Sequence, residues 1–366
     1  MNKKIHILFS TGVFPPNLGG PGKIVQGLMR ELEKRGFQTS VIVLPVSIPQ
    51  PLRFFVLLAR TIILALKNDI IYATDNYSNG FSAAIASKFL RKPMILRFTG
   101  DSVWESAFNQ EKTKSYITDF QNQKHDFLTR AKIWRRNFIL KQAKRIITDC
   151  EFLKNFLTNI GVNPDKITII NNAVDQPQEQ PHKSDSHTIL TMARLVPWKG
   201  IDTLIGLMPE IQQQISDAKL VIAGDGPQMD ELQKLTQKLN LTDSVHMLGK
   251  VTDKNEKQKL FLSANVFVLN TFYEGMSNTI IEAMAQGLPV VATRSGGNTE
   301  FVNDNNGILV DYNNTQQITK AVIGLLSNPQ KAEQLGKCGK QKSNQYTWSA
   351  LVEKNIKLIQ EICPNK

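Results

Sequence analysis

Strand-length apolar runs alternate with helical periodicities along almost all of this chain, and the alternation stops once and then begins again. In the first half, 5–10, 40–44, 70–73, 94–98 and 145–148 read as strands, with helices expected at 23–35, 52–67, 81–90 and 125–144. A polar stretch with prolines and no periodicity follows at 171–187 and reads as a linker. Strands are then expected at 188–192, 219–223, 245–248, 266–269, 290–292 and 307–310, with helices at 201–215, 229–240 and 257–263. Near-continuous apolar strands separated by helices form parallel sheets covered on both faces. At 366 residues the chain is also too long for one ordinary core. The pattern predicts an α/β chain of two tandem Rossmann-like, doubly wound domains, 1–175 and 176–345, with a ligand cleft between them. A terminal segment, 346–366, holds an amphipathic helix at 349–363 with Leu351, Ile356, Leu358, Ile359 and Ile362.

The charge is lopsided. Residues 1–175 carry 25 Lys and Arg against 13 Asp and Glu, whereas 176–366 carry 19 of each, so the first half holds the whole net charge of +12. Such a half seeks an anionic partner: a membrane surface, nucleic acid or an acidic substrate. Its densest part, 124–145, has eight Lys or Arg and one Asp. Apolar Phe127, Ala131, Trp134 and Phe138 recur there at helical spacing and are expected to pack on the sheet, while the basic face suits an anionic membrane. The apolar run 52–66 is broken by Arg53 and Arg60 and is too short to span a bilayer. The start, 1–10, leads into Gly and Pro and not into a signal-peptide cleavage site. Cys150, Cys338 and Cys363 are far apart, odd in number and without partner histidines, which indicates neither a disulfide framework nor a zinc site and fits a reducing compartment best.

The chemistry concentrates in Thr271-Phe-Tyr-Glu-Gly-Met-Ser-Asn-Thr-Ile-Ile-Glu282. Glu274 falls on a strand-to-helix loop and Glu282 about one and a half turns into the helix. Between them Gly275, Met276, Ser277 and Asn278 open that helix with free backbone amides, which attract phosphate. Two carboxylates flanking a phosphate site suit a ligand with many hydroxyls and a diphosphate, as in a nucleotide sugar. Upstream, Arg194 and Lys199 lie in Met192-Ala-Arg-Leu-Val-Pro-Trp-Lys-Gly-Ile201, at the carboxyl end of a strand, where two cations can neutralise a diphosphate. Gly224-Asp-Gly-Pro227, Gly249-Lys-Val251 and Gly296-Gly-Asn-Thr-Glu300 each follow a strand. Asp225 reads as a turn residue and Glu300 as structural.

In the first half, Pro15-Pro-Asn-Leu-Gly-Gly-Pro-Gly22 follows the first strand. It is no dinucleotide fingerprint, because Val25 stands at the third glycine position and no ribose-binding acid ends the second strand. Arg97-Phe-Thr-Gly-Asp-Ser-Val-Trp-Glu105 ends another strand. Asp101 is there the acid candidate for orienting or deprotonating a hydroxyl, and Trp104 can stack on a sugar or pack internally.

These segments together resemble the retaining, GT-B-fold glycosyltransferases of family 4. The likeness rests on the Glu-x7-Glu spacing, Arg-x4-Lys-Gly, Gly-x-Gly-Pro, Gly-Gly-x-x-Glu, the first-strand glycine loop and a Gly-Asp-x-x-Trp-Glu variant. It implies a GT-B fold and hexosyl transfer from a nucleotide-diphospho sugar to a glycan or lipid-linked hydroxyl, in polysaccharide, lipopolysaccharide or glycolipid synthesis. Arg194, Lys199 and 275–278 would hold the departing diphosphate, Glu282 the ribose and Glu274 the sugar hydroxyls. Gly224, the Gly296 turn and Val251 would line the donor site, and Gly20 would close over the phosphates. Gly19, Gly22, Thr99, Asp101, Trp104 and Glu105 would shape the acceptor side. Many relatives place a His near Thr99, and this chain does not. The resemblance implies no enzyme nucleophile, no metal and no cofactor. It also implies that the terminal helix crosses back onto the first domain, in a cytoplasmic protein that can sit peripherally on the inner face of the cytoplasmic membrane. A sugar-nucleotide epimerase and a non-catalytic sugar-nucleotide-binding protein are the alternatives. No nucleic-acid reading module is present.

Overall fold

The computed structural model describes residues 4–14, 20–44, 48–176 and 187–364. The chain divides into two compact units, Met1–Ala173 with Trp348–Lys366, and Val174–Thr347. The first unit carries strands β1 (His6–Thr11), β2 (Gln38–Val43), β3 (Ile70–Ala73), β4 (Met94–Arg97), β5 (Arg145–Thr148) and β6 (Ile167–Ile169). They form one sheet in the order β2-β1-β3-β4-β5-β6, and every pairing is parallel. The second unit carries β7 (Thr188–Met192), β8 (Lys219–Ala223), β9 (Val245–Gly249), β10 (Val266–Leu269), β11 (Val290–Thr293) and β12 (Ile308–Val310). Their order is β12-β11-β10-β7-β8-β9, again all parallel.

Both sheets are doubly wound, because the connections leave the first strand of each in both directions. The order reverses between β1 and β3 in the first unit and between β7 and β10 in the second. At such a reversal the flanking helices lie on opposite faces, and the carboxyl ends of the two strands leave a crevice that ligands use.

The central strands are mostly apolar, and all four residues of β3, β4, β10 and β11 are buried, Arg97 and Thr293 at two strand ends among them. In helix Gly20–Lys34, Ile24, Val25, Leu28 and Leu32 face the first core. Helix Trp348–Ile362 adds Leu351, Val352, Leu358, Ile359 and Ile362 to the same core, and Tyr72 on β3 donates its hydroxyl hydrogen to Asn355 Oδ1 at 2.9 Å. Each such buried aliphatic side chain contributes roughly 1.5–3 kcal/mol relative to exposure.

Three expectations change. Residues 201–215 are two helices, Ile201–Gly206 and Met208–Gln214, because Pro209 lacks the amide that would continue the first. Helix Gly20–Lys34 begins three residues before the expected start, so Gly20 and Gly22 belong to its first turn. In helix Phe127–Gln142 the expected apolar stripe does not pack on the sheet. Phe127 and Trp134 are 81% and 62% exposed, while Thr129, Arg136, Ile139 and Leu140 are buried. Arg136 has an ionic partner inside, and that pairing decides which face turns inward.

Candidate active site

In the second unit the sequence motifs meet at the β7/β10 reversal. The segment after β7 turns through the short helix Pro197–Lys199, and Lys199 ends almost wholly buried. Its ammonium pairs with Glu274 Oε2, on the loop after β10. An ammonium has three N–H donors, so two remain for another acceptor. The backbones of the two segments are also joined. Phe272 N donates to the Trp198 carbonyl at 2.7 Å, and Thr271 Oγ1 donates to it at 3.3 Å. Asn270 Nδ2 donates to the Gly200 carbonyl at 3.0 Å and to Asn313 Oδ1 at 2.7 Å, which fixes the turn just beyond Lys199. Tyr312 donates to the Pro197 carbonyl at 3.3 Å, and burial, aided by Asp202, pushes its hydroxyl up to about 12. It stays a neutral donor at ordinary pH.

The glycine motifs serve this arrangement. A Cβ on Gly224 would collide with the Ala193 carbonyl, so the loop after β8 can lie directly on the Arg194 segment. Leu195 N donates to the Asp225 carbonyl at 3.0 Å, and Asp225 Oδ1 accepts from Gly226 N at 2.8 Å. The close approach at Gly224 is therefore to the chain itself. Gly296 has φ +54°, a left-handed conformation, and a Cβ there would collide with the Glu274 carbonyl. Gly297 N donates to that carbonyl at 3.0 Å. The glycine turn after β11 thus seats the backbone of Glu274. Gly249 O accepts from Gly224 N at 2.8 Å, bringing the loop that holds half-buried Val251 beside the same strand ends.

Ser277 caps helix Asn278–Ala285, accepting from Ile280 N at 3.4 Å. Gly275, Met276 and Ser277 are buried, and Asn278 Oδ1 is buried without a hydrogen-bond partner among the described residues. Glu282 lies on this helix and pairs with Lys257 of helix Lys254–Ser263. Sequence reasoning missed Lys257. The only signal was a lysine at the start of an expected helix, and nothing local tied it to Glu282, 25 residues away. Arg194 is exposed, with its guanidinium carbon 5.6 Å from the centre of the Trp198 ring. Lys199, Arg194 and Glu274 therefore lie beyond the ends of β7 and β10, and a second pair, Lys257 with Glu282, joins the helices before and after β10.

The first unit treats its candidates differently. Gly19 lies outside the described residues. Thr99 and Glu105 are half-buried near the end of β4. Asp101, expected to reach a hydroxyl, is fully buried. It caps helix Ser102–Asn109 by accepting from Val103 N at 3.0 Å, and it pairs with Arg136. Trp104 is also fully buried, donates to the Ser115 carbonyl at 2.9 Å and lies 5.1 Å from Phe108. Asp101 is a correction, since a capped, paired carboxylate presents nothing to a sugar; of the two readings of Trp104, internal packing is the one observed. Among the described residues no group of three or more His, Cys, Asp or Glu is placed to hold a metal.

Residues 173–342 match the family model for glycosyl transferases group 1, and residues 18–176 match that for Glycosyltransferase Family 4. A phosphatidylinositol N-acetylglucosaminyltransferase subunit of Homo sapiens is 30% identical over 219 residues, 57% of this chain and 44% of its own length. A GDP-mannose-dependent α-(1-6)-phosphatidylinositol monomannoside mannosyltransferase of Mycobacterium tuberculosis is 34% identical over 176 residues, 46% of each chain. The chain thus spans about half the length of these curated relatives. Among solved structures, sucrose-phosphate synthase from Thermosynechococcus elongatus matches at a TM-score of 0.80 with 20% identity, covering 100% of both chains. HepE of Anabaena, in complex with UDP and glucose, matches at 0.77 with 18% identity, covering 98% of this chain and 100% of its own. At these identities the likeness establishes the fold, which is GT-B.

Proposed function

The chain belongs to the group 1 glycosyl transferases of family 4, and on that premise we propose that it moves a hexosyl group from a nucleotide-diphospho sugar to an acceptor hydroxyl with retention. The observation that carries this reading is the Lys199–Glu274 pair at the β7/β10 reversal, which couples a diphosphate-binding cation to a sugar-binding carboxylate. Lys199 and Arg194 stabilise the charge that develops on the departing diphosphate, and the amides at 275–278 add to it. Glu274 holds sugar hydroxyls beside the reacting carbon. Glu282 holds the ribose, with Lys257 setting its orientation. The leaving phosphate takes the proton of the incoming hydroxyl, so no protein nucleophile enters the scheme. Fixed cations take the place that a metal holds in other sugar transferases, and we propose that the reaction needs neither metal nor cofactor.

We further propose a lipid-linked or acidic acceptor held by the first unit, at an anionic membrane. Exposed Phe55, Ile63, Phe89 and Trp134 lie on three helices of that unit; Phe54 stacks on Phe81 with ring centres 5.4 Å apart, and Phe81 meets Trp134 edge to face at 6.2 Å. Arg60, Lys88, Arg130 and Lys141 are exposed on the same helices. Aromatic side chains with basic neighbours suit an anionic interface. No helix among the described residues is long and apolar enough to cross a membrane. Several relatives that this chain resembles are named for phosphatidylinositol-based acceptors, which accords with the proposal.

A thermal-shift panel of nucleoside diphosphates and their sugars tests the donor reading. A true donor at a hundred times its dissociation constant stabilises by ~2.7 kcal/mol. Transfer must then persist in EDTA and yield the donor's anomer. Absence of any nucleotide response, or an inverted product, overturns it.

A further inference from the structure

We propose that Asn313, just beyond β12, is a positioning residue for Lys199, acting through Asn270 on the turn that carries the lysine. Tyr312 holds the other end of the same turn. The role rests on the reading of Lys199 as the cation that meets the departing diphosphate, and extends it to a strand end outside the Lys199 and Glu274 segments.

The turn is held through its carbonyls. Those of Pro197, Trp198 and Gly200, which bracket Lys199, each accept from another segment. Phe272 N and Thr271 Oγ1 reach the Trp198 carbonyl from the loop after β10, at 2.7 and 3.3 Å. The other two carbonyls depend on residues beyond β12. Tyr312 donates its hydroxyl hydrogen to the Pro197 carbonyl at 3.3 Å, with its ring centre 5.2 Å from that of Phe272. Asn270 Nδ2 donates to the Gly200 carbonyl at 3.0 Å. Its second hydrogen goes to Asn313 Oδ1 at 2.7 Å, and its Oδ1 accepts from Asn313 N at 3.0 Å. Both Asn270 donors are then used, and the reciprocal pair with Asn313 decides which way the amide faces.

Asn313 suits that exchange. Its φ is +55°, a left-handed conformation that asparagine tolerates better than most residues. It presents its backbone N–H and its side-chain oxygen to one partner. Oδ1 also accepts from Thr203 Oγ1 at 2.9 Å, on the helix Ile201–Gly206 that follows the turn. Gly200 completes the fit. It has φ +49°, and a Cβ there would stand 2.3 Å from Asn270 Nδ2 and 2.7 Å from Asn313 Oδ1. Asn270 is 1% exposed and Lys199 6%, so lysine and amide share packed surroundings and the ammonium follows any shift of the turn. A cation stabilises developing charge only from a fixed place, and a misplacement of ~1 Å can cost about 10²-fold in rate.

Wild type is compared with three variants of the full chain. Asn313→Gly keeps the left-handed backbone accessible and removes the amide, Asn313→Asp keeps the accepting oxygen, and Tyr312→Phe releases the Pro197 carbonyl. Lysine reactivity is read without nucleotide, by trace labelling with acetic anhydride and mass spectrometry, with exposed Lys219 as the internal standard. Lys199 is expected to react roughly tenfold faster in Asn313→Gly as the turn opens locally, and to a lesser extent in Tyr312→Phe. Lys257, paired with Glu282, does not change, and Asn313→Asp stays near wild type. Turnover is followed as hydrolysis of UDP-glucose, UDP-N-acetylglucosamine and GDP-mannose. On a sugar nucleotide that wild type consumes, Asn313→Gly lowers kcat about 10²-fold with KM little changed, and Asn313→Asp restores most of it. Unchanged Lys199 reactivity in Asn313→Gly, or an equal rise at Lys257, overturns the positioning role, and so does a loss confined to KM. If Asn313→Gly fails to fold, Tyr312→Phe carries the same readout. A wild type that consumes none of the three sugar nucleotides counts against the donor reading alone, because the labelling needs no nucleotide.

Discussion

Asp101 and Arg136 are both sealed from solvent, 0% and 2% exposed, and each is the other's compensation. Removing one partner strands a buried charge at a cost of ~3–5 kcal/mol. Arg136→Met is therefore expected to lower the urea-unfolding free energy by about that amount, and Asp101→Asn combined with it to recover much of the loss. Wild-type stability in Arg136→Met would refute the structural role of the pair. Lys199→Ala acts on chemistry instead, and turnover is expected to fall ~10²–10³-fold, the range for losing one charge-stabilising donor. Glu282→Gln is expected to weaken donor binding while the circular dichroism spectrum holds, and steady-state kinetics separate the two effects. Asp75 offers a pH signature. Its folded-state pKa lies above the ordinary value of 3.8, so the folded protein binds the proton more tightly and loses stability as pH rises through the window above 3.8. Asp75→Asn keeps an oxygen for the Tyr77 and Gly80 amides. It is expected to melt higher than wild type at pH 7, with the advantage shrinking as pH falls toward 3.8. A pH-independent difference would remove the argument.

At the scale of elements, helix Trp348–Ile362 closes a core that its own sequence neighbours do not share. Ile359 is fully buried, and Ile359→Ala is expected to cost ~2–5 kcal/mol in denaturant unfolding. Tyr72→Phe leaves Asn355 Oδ1 without its donor inside the same core, at about 1–3 kcal/mol. The apolar stripe of this helix was legible because 3.6-residue periodicity reports directly on a buried face. Helix Phe127–Gln142 was not legible in the same way. Its aromatics have the right spacing, yet a buried ionic partner at Asp101 draws Arg136 inward and leaves Phe127 and Trp134 outside. Periodicity counts apolar residues and does not see an ion pair 35 residues distant in sequence.

For the whole molecule, charge and exposed aromatics act together. Full-length protein is expected to co-sediment with vesicles containing anionic lipid at low salt and to release at high salt, since exposed charges are screened over ~8 Å at physiological ionic strength. Phe55→Ser with Trp134→Ser, and separately Arg60, Arg130 and Lys141 to Gln, are each expected to weaken pelleting. Arg136 stays unchanged because it is internal. Equal pelleting with neutral vesicles would reject the electrostatic part. The strand-helix alternation, the surplus of cations in 1–175, the positions of Arg194, Lys199 and Glu274 beyond strand ends and that of Glu282 on the following helix were determined by sequence alone, because side-chain period and motif spacing are local properties. Tertiary structure decided the rest. It paired Lys199 with Glu274 and Lys257 with Glu282, turned Gly224 and Gly296 into seats for neighbouring backbone, enclosed Asp101 and Trp104, and left Asp75 beside Gly12. Each of these depends on which strands lie side by side and on what a buried charge must find, and neither is written in the spacing of residues along the chain.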